Sequence, residues 1–246
     1  MVDTEHVSFT AGAQRLTATK VYPSGRAPLH TLHLHGLGPT ASRHAIRYLL
    51  DPLAEQGHAA VTFDFSGNGD STGTYLDGSL RRRLDEALVA ARLLDPGEAP
   101  VLIGSSMGAH LAACAVPALR PRGLIFFAPA AYAADATDVS FHGYLANAPG
   151  AENPVRPGDF ADSPAYLGIG EFTGDLLIVA GGRDEVVPPT VVEGYLVHAR
   201  RARSTSVIWL DDCAHFIHRW LPDRHELRDD VLKAMSRVLT AVPAKS

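Results

Sequence analysis

Short apolar runs recur along this chain at intervals too wide for hairpins, and helical patterns fill most of the gaps between them. The runs are LHTLHLH (29–35), AAVTFDF (59–65), PVLIG (100–104), GLIFFAPA (123–130), DLLIVAGG (175–182) and STSVIWLD (204–211). Parallel strands cannot be joined by tight turns and need a crossover, usually a helix. The alternation therefore predicts a mostly parallel α/β sheet flanked by helices. Ahead of these runs, HVSFT and RLTATKVY alternate like half-exposed strands, an antiparallel start that brings the expected total to eight. Helical patterns fall at about 41–56, 78–94, 107–120, 188–203 and 223–240, and Asp95-Pro96-Gly97 stops the second.

One interval breaks the alternation. Residues 131–173 are too long for a simple connection and too poor in periodicity for one helix. They carry Tyr132, Phe141, Tyr144, Leu145, Tyr166 and Phe172, apolar material to lay over something. The interval reads as a small lid inserted after the sixth strand, so that 1–246 form a single domain.

The bulk numbers exclude several classes. A formal charge of −5 argues against a nucleic-acid partner, which calls for a basic face. The compact basic run Arg81-Arg82-Arg83 is followed by Asp85 and Glu86 and reads as a solvated helix face. Two cysteines, Cys114 and Cys213, give no disulfide framework and suit a reducing compartment. MVDTEHVSFT lacks the basic and apolar regions of a signal peptide, and no apolar run approaches the roughly 20 residues of a membrane span. The expectation is a soluble cytoplasmic protein acting on a small molecule.

In open α/β sheets ligands bind beyond the carboxyl ends of the strands, and four strand ends carry chemistry. After PVLI comes Gly104-Ser105-Ser106-Met107-Gly108, a G-x-S-x-G frame with Ser106 at its centre and Ser105 at the x position. Such a serine sits on a sharp strand-to-helix turn, where flanking side chains would collide with backbone. After DLLIVAGG comes Asp184, a carboxylate able to orient an imidazole, with Glu185 as a substitute. After STSVIWLD comes His215, a general base toward Ser106, with His218 one turn further on as the fallback. After LHTLHL comes His35-Gly36-Leu37-Gly38, where a glycine-flanked turn can aim the N–H of Leu37 at an oxyanion beside the N–H of Met107. Ser106, Asp184 and His215 follow in the order expected for a triad on an α/β sheet.

With HGLG (35–38), DFSGNGDS (64–71), GSSMG (104–108), GGRDEVVP (181–188) and CAHF (213–216), the chain resembles the α/β-hydrolase superfamily over essentially its whole length. It is similar to small feruloyl-esterase-like and acyl-protein-thioesterase-like members. DFSGNGDSTG resembles the family's D-x-R-G-x-G-x-S loop, with Ser66 where arginine is common. The resemblance implies Ser106 as nucleophile, Asp184 as acid, His215 as base, and Leu37 and Met107 as oxyanion-hole donors. A serine hydrolase cleaving a carboxylic ester or thioester is expected. An acyltransferase or C–C bond hydrolase would use the same triad, and a non-catalytic ligand binder is the rival from another class. Tyr132, Phe141 and Tyr144 of the excursion and Phe216 beside His215 are the expected substrate contacts.

No cofactor or metal is expected. The Asp64 loop begins like a calcium loop, but its twelfth position is Tyr75 where a bidentate glutamate is needed. His33 and His35 alternate on one strand with no Cys or carboxylate pair at ligand spacing, so His33 reads as a buried or hydrogen-bonded structural residue. The glycines near Gly67 do not form a dinucleotide fingerprint.

Overall fold

Eight strands form one sheet in the order β1-β2-β4-β3-β5-β6-β7-β8 in a computed structural model that describes residues 1–142 and 155–241. The strands are β1 Val2–Ala11, β2 Gln14–Pro23, β3 Thr31–Leu34, β4 Ala60–Phe63, β5 Val101–Ser105, β6 Gly123–Phe127, β7 Asp175–Gly181 and β8 Ser204–Leu210. Strand β2 runs antiparallel to both β1 and β4, and every pair from β4 through β8 is parallel. The expected antiparallel start and parallel body are both present.

The helices are α1 Arg47–Glu55, α2 Leu80–Ala90, α3 Met107–Cys114, α4 Val116–Leu119, α5 Pro164–Gly170, α6 Pro189–His198, α7 Ile217–Trp220 and α8 His225–Thr240. Side chains alternate across a strand, and the two faces bury separate cores. Leu32, Leu34, Leu102, Phe126 and Ile178 join Ala87, Ala112, Ile169 and Val191 from α2, α3, α5 and α6. Val101, Ile103, Phe127 and Val179 join Leu49, Ile217 and Met235 from α1, α7 and α8. Among the described residues no helix is long and apolar enough to cross a membrane.

The structure departs from the sequence reading at several places. The first expected helix starts only at Arg47. Ahead of it Arg43 is tied down: its backbone N–H donates to Asp64 Oδ1 at 2.7 Å, and its guanidinium pairs with Asp64 and, at 2.7 Å, with Asp70. The third expected helix breaks at Ala115, because Pro117 in the next turn has no N–H to continue the ladder. Third, the run Arg81-Arg82-Arg83 is not a solvated face throughout. Arg81 is exposed on Asp138, but Arg83 is fully buried.

The reason lies in what meets that side chain. The Arg83 guanidinium stands over the rings of Phe65 and Phe141, at 5.3 and 5.5 Å. Its Nη1 donates to Glu86 Oε2 and to Ser66 Oγ, both at 2.9 Å, while the Ser66 N–H donates to the same Glu86 oxygen. Arginine is thus missing at position 66, but one reaches that position from α2. Removing one partner of a buried ion pair strands the other charge. Glu86→Gln should therefore cost about 3 kcal/mol and lower Tm by about 10 °C in a thermal melt. A Tm within about 2 °C of the parent would show that the pair is not what holds Arg83 inside.

The excursion between β6 and β7 returns to the body. The Phe141 N–H donates to the Gly78 carbonyl at 2.8 Å, and the Gly158 N–H to the Ala131 carbonyl at 3.0 Å. Helix α5, which no periodicity announced, lies against α3 so closely that a Cβ on Gly168 would stand 2.1 Å from the Ala113 carbonyl oxygen.

Candidate active site

The order of the sheet reverses at β3, which has β4 on one side and β5 on the other. Loops leaving such adjacent strand ends diverge and leave a crevice. The loop after β3 and the turn after β5 meet there. In that turn Ser106 has φ 50° and ψ −112°, a backbone region that a non-glycine residue occupies only when its surroundings hold it. Its N–H donates to the Phe127 carbonyl at 2.8 Å, and its carbonyl accepts from the Ala130 N–H at 3.2 Å.

Both flanking glycines are needed for space. A Cβ at Gly104 would stand 2.4 Å from the Ala109 Cα, and one at Gly108 would stand 1.9 Å from the Leu34 carbonyl oxygen. Helix α3 therefore begins directly against the end of β3. Gly36, in the loop after β3, approaches from the other side: its Cβ would come 3.4 Å from the Ser106 Cβ.

The three residues expected from strand ends are brought together. Ser106 Oγ lies 3.0 Å from His215 Nε2, and His215 Nδ1 lies 2.8 Å from Asp184 Oδ2. The other oxygen, Asp184 Oδ1, accepts the N–H groups of Val186 and Val187 at 2.9 Å each. With its carboxylate so held, Asp184 accepts the Nδ1 proton, which leaves Nε2 free to accept the Ser106 hydroxyl. Glu185, the substitute, is exposed.

Met107 is the first residue of α3, and its N–H is one of those that a helix leaves without an intrahelical acceptor. Leu37 is half-buried in the loop beside Gly36. Among the expected substrate contacts, Phe216 is 61% exposed and its ring centroid lies 5.6 Å from that of His215. Tyr132 and Phe141 belong to the main hydrophobic core, Tyr132 edge-on to His110 and Phe141 against Tyr75. Tyr144 lies outside the described residues.

The histidines at the end of β3, His33 on the strand and His35 just after it, are engaged by protein. His33 Nδ1 pairs with Thr62 Oγ1 at 3.0 Å. His35 Nδ1 donates to the Gly36 carbonyl at 2.9 Å, and its Nε2 accepts the Phe65 N–H at 3.2 Å. Burial keeps both rings neutral: it lowers His35 to about 4 and His33 well below the ordinary histidine value. Among the described residues no three His, Cys, Asp or Glu side chains gather as a metal site. The Asp64 carboxylate is taken up by Arg43.

A second serine–histidine pair lies beside the first. Ser105 Oγ is 2.6 Å from His218 Nε2, and His218 Nδ1 is 3.1 Å from the Tyr48 hydroxyl. The two alternatives open at the level of sequence, Ser105 and His218, therefore pair with each other. Among the described residues His218 Nδ1 meets a tyrosine hydroxyl and no carboxylate, and Ser105 is only 7% exposed. Parity explains its direction: Ser105 falls on the face of Val101 and Ile103, under α1 and α8.

The family model described as "Alpha/beta hydrolase family" matches residues 32–229. No curated protein matches the chain in sequence. Several solved structures share its fold. The esterase Est1E from Butyrivibrio proteoclasticus, with ferulic acid bound, superposes with a TM-score of 0.70 at 18% identity, over 96% of this chain and 100% of that one. A serine hydrolase without a lid from Xanthomonas campestris gives 0.66 at 22%, over 98% and 97%. A thioesterase domain from the curacin biosynthetic pathway gives 0.66 at 16%, over 94% and 99%.

Proposed function

The chain belongs to the alpha/beta hydrolase family, and on that premise we propose that it is a serine hydrolase cleaving a carboxylic ester or thioester through an acyl-enzyme on Ser106. The observation that carries this reading is the unbroken sequence Ser106 Oγ, His215, Asp184 at 3.0 and 2.8 Å on a backbone turn with φ 50°.

The chemistry follows from the atoms. Ser106 Oγ attacks the carbonyl carbon as His215 Nε2 takes its proton, and the Asp184 carboxylate stabilises the imidazolium. The N–H groups of Leu37 and Met107 stabilise the oxyanion. Collapse breaks the bond to the leaving oxygen or sulfur, which departs with the proton from His215. Water then gives a proton to His215 as it attacks the acyl carbon, and on collapse His215 returns that proton to the departing Ser106 Oγ, releasing the acid.

The esterase and thioesterase with the same fold support this substrate class. Exposed Phe216 beside His215 offers an apolar surface to the substrate, and we assign the excursion after β6 to covering the acyl group, its residues 143–154 lying outside the described residues. A fluorophosphonate probe followed by peptide mass spectrometry tests the nucleophile: the adduct is expected on Ser106, and an unlabelled folded protein would favour a ligand binder. Aryl esters of increasing chain length, run beside acyl thioesters, define the substrate. Partition of the acyl-enzyme between water and an added alcohol separates hydrolysis from transfer. Asp184→Asn should leave the fold intact and lower kcat by ~10³–10⁴-fold, because the amide no longer fixes the tautomer of His215.

A further inference from the structure

Ser105 Oγ has a second partner besides His218: His33 Nε2, at 3.3 Å. The donors in this cluster can be placed one by one. The Thr62 hydroxyl lies 3.1 Å from the Arg43 carbonyl, which can only accept, so Thr62 donates there. Its oxygen then accepts from His33 Nδ1–H. His33 Nε2 is left without a proton and accepts the Ser105 hydroxyl. Ser105 Oγ in turn accepts from His218 Nε2–H, and His218 Nδ1 accepts from the Tyr48 hydroxyl. Every donor is used once and every bond points the same way, from Tyr48 to the Arg43 carbonyl.

The chain links the elements that carry the catalytic groups. His33 stands on β3, two residues before the His35-Gly36-Leu37 turn. Ser105 precedes Ser106 directly, and His218 lies three residues past His215 on α7. Phe127, whose carbonyl receives the Ser106 N–H, also packs its ring 4.8 Å from that of His218. The Ser105 carbonyl stands 3.2 Å from where a Cβ on Gly36 would be.

We propose that Ser105 is a positioning residue: its hydroxyl, bonded to His33 on one side and His218 on the other, sets the elbow, the loop after β3 and the helix after His215 in one arrangement. The proposal rests on Ser106 being the nucleophile. Ser105 touches no substrate; it acts through the backbone of its neighbour. A residue with the dihedrals of Ser106 keeps them only when its surroundings over-determine them, and this hydroxyl is one of the groups that do so. Burial supports the assignment of protons, since it holds His218 neutral by lowering it to about 4.

Ser105→Ala removes the shared hydroxyl. The folded variant, checked by circular dichroism, should show kcat for p-nitrophenyl acetate and the fluorophosphonate labelling rate reduced by ~10–100-fold, as expected for a small misplacement of reacting atoms. KM should stay within about threefold, because no binding contact is lost. A loss confined to stability, with kcat and labelling within about twofold of the parent, would overturn the proposal. Should that variant not fold, Tyr48→Phe breaks the chain at its far end and should lower kcat several-fold at unchanged KM; an unchanged kcat would overturn the proposal equally.

Nitrogen-15 histidine spectra give a readout that a purely packing role would not move. His33 should appear as the Nδ1–H tautomer and His218 as the Nε2–H tautomer at pH 7, and the opposite tautomer at either would break the chain. If Ser106→Ala kept its activity while these tautomers were observed, the assignment of the nucleophile would fail and the hydrogen-bond chain would stand.

Discussion

Ser106→Ala should lower kcat by at least ~10⁴-fold and abolish the fluorophosphonate adduct, while the protein folds as before. Under the proposed acyl-enzyme mechanism the size follows from the loss of the covalent route: without the hydroxyl, water must attack the carbonyl directly and His215 has no positioned oxygen to deprotonate. What remains is the rate supplied by binding and by the oxyanion donors alone. The fold should survive, because Ser106 is held by its backbone, through Phe127 and Ala130, and its side chain bonds, among the described residues, to His215 alone. Alanine tolerates the same φ about as well as serine does. Activity within tenfold of the parent, in protein purified free of other esterases, would remove Ser106 from the mechanism. The adjacent serine makes the experiment discriminating. Both hydroxyls touch an imidazole, and a simple distance criterion would accept either.

Acidification is expected to destabilise this protein from about pH 6.5 downward, before most carboxylates begin to titrate. His35 and His218 are lowered to about 4 and His110 to about 3, each chiefly by burial, and His33 well below its ordinary value. In the unfolded chain the same side chains take up protons near pH 6.5. Between about pH 6.5 and 4 the unfolded state therefore binds more protons than the native one, so stability is complete above that window and falls as the pH falls through it. Each such group steepens the slope by about 1.4 kcal/mol per pH unit.

With four groups contributing, the sum across the window is comparable to the 5–15 kcal/mol total of an ordinary domain. Urea midpoints at pH 7, 6 and 5 should drop progressively, with an acid midpoint between about pH 4 and 5. The Asp70 and Asp175 carboxylates, held below their ordinary range by Arg43 and Arg203, add a further loss only at lower pH. His110→Phe keeps a ring against Tyr132 and removes one proton site, so its pH dependence should be shallower. Equal urea midpoints at pH 7 and 5 would show that these histidines are protonated in the folded protein.

The centre of the sheet was legible because β3 to β7 are buried on both faces and read as continuous apolar runs, which few other elements imitate, while β1 and β2 showed as alternation. All eight occur where the runs lie, with ends moved by at most four residues. The proximity of Ser106, Asp184 and His215 was legible for a different reason: the carboxyl ends of parallel strands converge, so residues far apart in sequence are neighbours by topology. Arg83 was not legible. A basic triplet on a helix looks solvated until Phe65 and Phe141, 18 residues before it and 58 after, are known to enclose its last member. Helix α5 did leave a signal in Ser163-Pro164, a serine before a proline at the first helical position, but its seven residues carry too little periodicity to stand out. The chain through Ser105 needs the register that places His33 beside Ile103, and register between parallel strands is written nowhere in either segment.

Gly36, Gly104 and Gly108 all keep φ values open to any residue, while Ser106 between them does not. The usual division of labour is inverted: the residue with the unusual dihedral has a side chain, and the glycines are there for their missing volume. Mutational tolerance should follow that division. Position 106 can take alanine at the expense of chemistry alone, whereas even one methyl at 104 or 108 meets main-chain atoms that cannot swing aside. A lineage built on this turn is free to vary the side chains around it, yet has almost no alphabet left for its two glycines.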